Sequence, residues 1–167
     1  IAITGSCGKT SLKELVATTL KKISNVTYSP QSFNNKYGVP LSLINLKKND
    51  DYGIFEVGMD KKGEIDSLTK IIKPDVGVIT NISYAHAKNF RNIKQIALAK
   101  SEIIKNIKND GVIVLNEDDK FFNLLKKIAL KKNIKIYTFS TKKKKSDIRL
   151  ISITKQGNKF KVLINVG

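Results

Sequence analysis

The chain has 167 residues, 41% of them hydrophobic, which suits one folded domain with a core and excludes a disordered polymer. Lys and Arg number 31 against 14 Asp and Glu, a net charge of +17, but the lysines are scattered, arginine is confined to Arg91 and Arg149, and no aromatic residues interleave with them. No nucleic-acid partner is therefore expected, and the excess reads as solvated lysine faces. A lone Cys7 excludes an intrachain disulfide and suits a reducing, cytoplasmic setting, and no apolar run approaches the roughly 20 residues of a membrane-crossing helix.

In chain order, residues 1–4 read as the end of a strand, and "TGSCGKTS" follows at once. A chain that opens so close to such a loop is expected to be one domain of a larger protein. Leu12, Leu15, Val16, Thr19, Leu20 and Ile23 have helical spacing. The Asn- and Ser-rich stretch "SPQSFNNKYGVP" reads as a loop, with a short helix over 40–46. Residues 52–57 form an apolar strand, 65–72 a helix closed by Pro74, 76–80 a strand and 93–107 a helix. A strand at 112–115, a helix at 121–130 and a strand at 134–139 continue the alternation. The lysine run at 142–145 reads as a surface loop, and the last two segments, with period two and joined at Gln156-Gly157-Asn158, as a β-hairpin. The fold class expected is α/β: a mostly parallel phosphate-loop sheet flanked by helices, with a small antiparallel hairpin at its C-terminal end.

Strand, glycine turn and helix N-terminus together make an anion site. Gly5 and Gly8 allow a tight bend, Lys9 would reach terminal phosphates, and Thr10 could ligate Mg²⁺. Counting back from Gly8-Lys9-Thr10, Ile3 stands where the first glycine of the usual G-x-x-x-x-G-K-[ST] pattern would be. A GTPase is excluded: Asp60 to Gly63 matches D-x-x-G, but no N-K-x-D follows a later strand. Glu56 interrupts an apolar strand, where a carboxylate calls for Mg²⁺ or a lysine partner. His86 is the only histidine. Lys100 falls at the centre of the helical face of Ile93, Ile96, Ala97, Ile103, Ile104 and Ile107, where it must snorkel, pair with an acid or be chemically altered.

These features resemble the central domain of the Mur ligases, the ATP-dependent amide-forming enzymes of peptidoglycan synthesis. Their loop reads T-G-[ST]-x-G-K-T, without the first glycine. "NNKYGVPLSL", "FEVGMDKKGEID", "TNISYAHAKNF", "AKSEI" and "LNEDD" follow in family order and extend the match to residue 119. "MDKKGEI" and "HAKNFRN" depart from the commoner family residues at those points.

The resemblance implies that residues 1–167 are the ATP-binding central domain, without the UDP-sugar and closing domains that flank it in the family. Gly5, Ser6, Cys7, Gly8, Lys9, Thr10 and Ser11 would cradle the ATP phosphates, and Asn116 would lie near the adenine. Thr10 and Glu56 would hold a first Mg²⁺; His86 and a carbamylated Lys100 would hold a second. Asn34 and Asn35 would face the substrates. The substrates implied are UDP-N-acetylmuramoyl-tripeptide and D-alanyl-D-alanine, joined through an acyl phosphate with release of ADP, and a cytoplasmic monomer is expected. Folylpolyglutamate or cyanophycin synthetase is the nearest alternative, with a basic nucleic-acid-binding ATPase or a regulatory ATP module further off.

Overall fold

A computed structural model describes residues 1–84, 89–142 and 145–167. His86 and half of the lysine run, Lys143 and Lys144, lie outside the described residues. The strands are β1 (Ala2–Thr4), β2 (Val26–Tyr28), β3 (Tyr52–Glu56), β4 (Val76–Ile79), β5 (Val112–Asn116), β6 (Lys135–Ser140), β7 (Ile148–Gln156) and β8 (Lys159–Val166). The helices are α1 (Lys9–Leu20), α2 (Gly38–Ile44), α3 (Glu64–Ile72), α4 (Ile93–Lys100), α5 (Glu102–Lys105) and α6 (Phe122–Lys132).

The strands form one sheet in the order β2-β3-β1-β4-β5-β6-β7-β8, parallel from β2 to β7 and antiparallel only in the β7–β8 hairpin. The chain leaves β1 toward one edge, returns to β3, then crosses to β4 on the other side of β1. The carboxyl ends of β3, β1 and β4 thus meet at the point where strand order reverses, the place where open α/β sheets bind ligands.

Side chains alternate across the sheet. Ile3, Ile54 and Val78 face α1, packing on Ala17. Ala2, Ile79, Ile113 and Leu115 face the opposite way and build the larger core with Ile65, Ile96, Ile103, Ile104 and Ile107. Each fully buried aliphatic side chain contributes about 1.5–3 kcal/mol on transfer alone. Among the described residues no helix is long and apolar enough to cross a membrane.

Three elements differ from the sequence reading. β2 has no counterpart in the sequence reading, which leaves residues 26–28 unassigned; it is a three-residue edge strand, too short for a period-two signal, and parallel pairing of Val26 with Tyr52 creates it. The face of α1 is as expected at Leu12, Val16 and Leu20, which pack against the core, but its fully buried residues are Lys13 and Ala17, whereas Leu15 is 66% and Ile23 80% exposed. The helix read over 93–107 is broken at Ser101. The Ser101 hydroxyl donates to the Leu98 carbonyl at 2.7 Å, and Ile104 N–H bonds Ser101 O at 3.0 Å, a tighter turn between α4 and α5. The hairpin is also joined to the main sheet, through Phe139–Ile148 and Ser140–Arg149 pairs.

That break lets Glu102 cap another helix. Its buried carboxylate accepts the Gly63 N–H at 2.9 and 3.0 Å and the Asp66 N–H at 3.2 Å, satisfying the amino end of α3. Glu102→Ala leaves those amides without an acceptor and is expected to lower stability by about 1–3 kcal/mol, read by urea denaturation. An unchanged midpoint would show that water replaces the carboxylate.

Candidate functional site

β1 ends at Thr4, and the chain turns into the loop at Gly5, whose φ is +148° and where a Cβ would stand 1.8 Å from Thr80 Oγ1. Only glycine fits that approach. The loop is laced to the segment after β4: Ser6 N–H donates to Asn81 O, Cys7 N–H to Asn81 Oδ1, and Thr80 Oγ1 to the Cys7 carbonyl at 2.6 Å. Ser6 Oγ accepts from Ser83 N–H at 2.8 Å and donates to Ser83 O at 3.0 Å. These bonds brace the loop against the end of β4. α1 then begins beyond Gly8 (φ +80°) with no side-chain cap and no acid in its first turn, which leaves its positive end for an anion. Ser11 is exposed there.

Two lysines converge under the loop. Lys9 Nζ donates to Gly5 O at 3.1 Å, and Lys100 Nζ, arriving from α4, donates to the same oxygen at 2.9 Å. Lys100 is 1% exposed, so the snorkelling option is closed. Burial above all, and then repulsion from Lys9, bring its ammonium down to about 7, against a weaker pull from Cys7. Half of such amines are neutral near pH 7. Thr4 Oγ1, one residue earlier in the chain, is buried with no hydrogen-bond partner among the described residues.

The other wall is built on Glu56, at the end of β3 and 1% exposed. Its Oε2 accepts from Thr10 Oγ1 at 2.7 Å and its Oε1 from Asn34 Nδ2 at 2.7 Å. Among the described residues no cation pairs with it, so the lysine partner weighed from sequence is not what balances this buried charge. A hydroxyl and a carboxylate within hydrogen-bond reach suit a hard cation such as Mg²⁺, which keeps waters and completes its shell with phosphate oxygens. Among the described residues no group of three or more His, Cys, Asp or Glu could hold a metal ion. The donor set fits a metal whose remaining ligands are waters and phosphate oxygens.

Asn34 and Asn35, with Lys9, Lys36, Asp60 and Lys61, line a cavity of about 520 Å³ that opens beside the loop. Asn34 orients Glu56, while Asn35 Oδ1 accepts the Tyr37 and Gly38 N–H groups at 3.0 and 2.9 Å and starts α2. Asn116 lies across β4: its Nδ2 donates to Thr80 O at 3.2 Å and its Oδ1 accepts Asp118 N–H at 2.9 Å. Asp119, from the same "LNEDD" stretch, accepts Ile82 N–H at 2.6 Å. The structure therefore brings Gly5, Lys9, Thr10, Asn34, Glu56 and Lys100 together, with Asn116 one strand further on. Thr80, Asn81 and Ser83 stand in "TNISYAHAKNF" but have no role in the sequence reading, because they act through hydrogen bonds with the loop, which no spacing reveals.

A phosphate loop at the switch point of a parallel sheet, flanked by a buried carboxylate and a buried lysine, defines an α/β nucleotide-binding domain. Residues 3–166 match the Mur ligase middle domain, and the chain belongs to the Mur ligase family. The UDP-N-acetylmuramoyl-tripeptide–D-alanyl-D-alanine ligase of Buchnera aphidicola subsp. Baizongia pistaciae is 39% identical over 163 residues, covering 97% of this chain and 35% of the relative. The crystal structure of MurF from Acinetobacter baumannii superposes with a TM-score of 0.91 at 32% identity, over 99% of this chain and 35% of that one. MurF from Thermotoga maritima in complex with ADP superposes at 0.85 and 30% identity, over 99% of this chain and 37% of that one. The chain spans about a third of the length of these relatives.

Proposed function

We propose that this chain is the ATP-binding middle part of a ligase that joins D-alanyl-D-alanine to UDP-N-acetylmuramoyl-tripeptide in peptidoglycan synthesis. The observation that carries the reading is the pairing of Thr10 with the buried Glu56 beside the loop whose Gly5 carbonyl receives Lys9. Likeness to relatives with that printed activity, and to a neighbour solved with ADP, supports it.

In this reading residues 5–11 receive the ATP phosphates, with Lys9 swinging from Gly5 O to the terminal ones. Thr10 and Glu56 hold a first Mg²⁺, and Asn34 keeps Glu56 turned toward Thr10. His86 and Lys100, the latter as its carbamate, hold a second, and Asn116 lies on the adenine side. Bound Mg²⁺ supplies positive charge where negative charge gathers between nucleotide and carboxylate. The tripeptide carboxylate takes the γ-phosphoryl group to become an acyl phosphate; the D-alanyl-D-alanine amine attacks its carbonyl carbon, and phosphate leaves. The cavity of about 520 Å³, lined by Asn34, Asn35, Lys36 and Lys61, faces these substrates and offers cations to their carboxylates. The enzyme works as a cytoplasmic monomer.

The test is ADP release by a polypeptide carrying this chain with the flanking regions its relatives possess. Release that requires both UDP-N-acetylmuramoyl-tripeptide and D-alanyl-D-alanine is the expected result. Release with a folate or another acid and amine instead would move the substrate assignment to a different ligase. Stimulation by nucleic acid alone would overturn the reading.

A further inference from the structure

Lys13 is fully buried, one turn beyond Thr10 on α1, at a position where the sequence pattern places a solvent-facing residue. Its Nζ donates to the Ser29 carbonyl at 2.7 Å and to the Gln31 carbonyl, pairs with Glu14 Oε1 at 3.0 Å, and lies 5.7 Å from the centre of the Tyr28 ring. A buried ammonium is costly unless its donors are used. Here two of them go to backbone carbonyls of one irregular segment, which leaves the sheet after β2 and has few ladder partners of its own. Within it Gln31 adopts φ +46°, a left-handed conformation that a non-glycine residue holds only when its surroundings enforce it.

What this segment carries makes the contact matter. Ser29 Oγ accepts the Glu56 N–H at 3.0 Å, Ser32 Oγ lies 3.4 Å from Thr10 Oγ1, and Asn34 Nδ2 donates to Glu56 Oε1 at 2.7 Å. We propose that Lys13 is a positioning residue for the metal–nucleotide site. Its ammonium fastens residues 29–34 to the helix that begins at the phosphate loop, so that Ser32 and Asn34 stay registered against Thr10 and Glu56. The inference rests on the ATP–Mg²⁺ reading of that site.

The test compares Lys13→Met, of similar length but without donors, and Lys13→Arg, which keeps the cation, with the unsubstituted chain. Amide hydrogen exchange and binding of β,γ-imido-ATP, each with and without Mg²⁺, are the readouts. In Lys13→Met, amides of residues 29–35 are expected to exchange about tenfold faster, the equivalent of one lost charge-assisted hydrogen bond, while α1 and the central strands keep their protection. The tightening of nucleotide binding by Mg²⁺ should fall by about tenfold as well, and Lys13→Arg should recover part of both. Unchanged exchange at 29–35, or loosening spread evenly over α1 and the sheet, overturns the proposal. If Lys13→Met does not fold, Lys13→Gln, which keeps a donor without the charge, carries the same comparison. Failure of the unsubstituted chain to bind the nucleotide overturns the ATP reading and the purpose given to Lys13, whereas the exchange pattern separately decides whether Lys13 fixes the segment.

Discussion

Glu56→Gln is expected to lower ADP formation by the complete ligase about 10²- to 10³-fold, the loss typical when one preorganised electrostatic group is removed. In the chain alone it should erase the effect of Mg²⁺ on nucleotide binding. The same substitution should leave the metal-free fold as stable as before, or more so. Glu56 is 1% exposed and its carboxylate meets only the neutral donors of Thr10 and Asn34 among the described residues. A buried charge in that state is a burden that an amide of the same shape relieves, although one donor of the amide then faces a donor. A residue kept for the fold would show the reverse: lost stability and an intact metal response. Calorimetric titration of β,γ-imido-ATP with and without Mg²⁺, beside urea denaturation in EDTA, separates the two. Retained Mg²⁺ dependence in Glu56→Gln would sink the metal role.

Much of the sheet was legible because buried parallel strands are short apolar runs, and "YGIF", "VGVI" and "VIVL" are such runs bounded by turn residues. β2 was not, since three residues cannot display a period and only its partner β3 makes it a strand. The face of α1 was legible at Leu12, Val16 and Leu20 but not at its edges. Leucine at 15 and isoleucine at 23 suggest burial, but the helix is docked by where the phosphate loop releases it, and that orientation turns Lys13 inward. A pattern that scores hydrophobicity alone cannot find a lysine whose donors close on backbone carbonyls.

The site divides in the same way. That Gly5, Lys9, Thr10 and Glu56 stand out was legible because a glycine turn before a helix and a carboxylate in an apolar strand are unusual there, and the structure brings these residues together. Lys100 was legible from helical period alone: a cation at the centre of an apolar stripe, found 1% exposed. Glu102, two residues further, carries no mark of its own in the spacing. Its capping of α3 depends on the break at Ser101, a tertiary event with no signature in spacing.

Lys100→Met is expected to abolish most ligase activity while changing the pH dependence of stability in a direction set by the lysine's environment. In the folded chain the ammonium loses its proton at about 7 instead of 10.5, because it is buried and faces Lys9, with a weaker opposing pull from Cys7. Below pH 7 folded and unfolded chains both hold the proton, and the buried charge exerts its full cost. Between about 7 and 10.5 the unfolded chain binds more protons, so the unfolding free energy of the unsubstituted chain rises with pH. Methionine does not titrate, and the remaining groups are common to both chains. The stability of the unsubstituted chain relative to Lys100→Met should therefore rise by ~2 kcal/mol between pH 7 and 9 in EDTA. Urea midpoints at pH 7, 8 and 9 measure it. A flat or falling difference would mean that Lys100 keeps an ordinary ammonium despite its burial. The neutral amine that appears in this window is also the form that adds CO₂, releasing a proton and leaving a carbamate. Carbon-13 bicarbonate should accordingly label the unsubstituted chain and not Lys100→Met, with labelling that increases through pH 7 as the amine is freed. Equal labelling of both chains would remove Lys100 as the carbamate site and with it the second metal's anionic support.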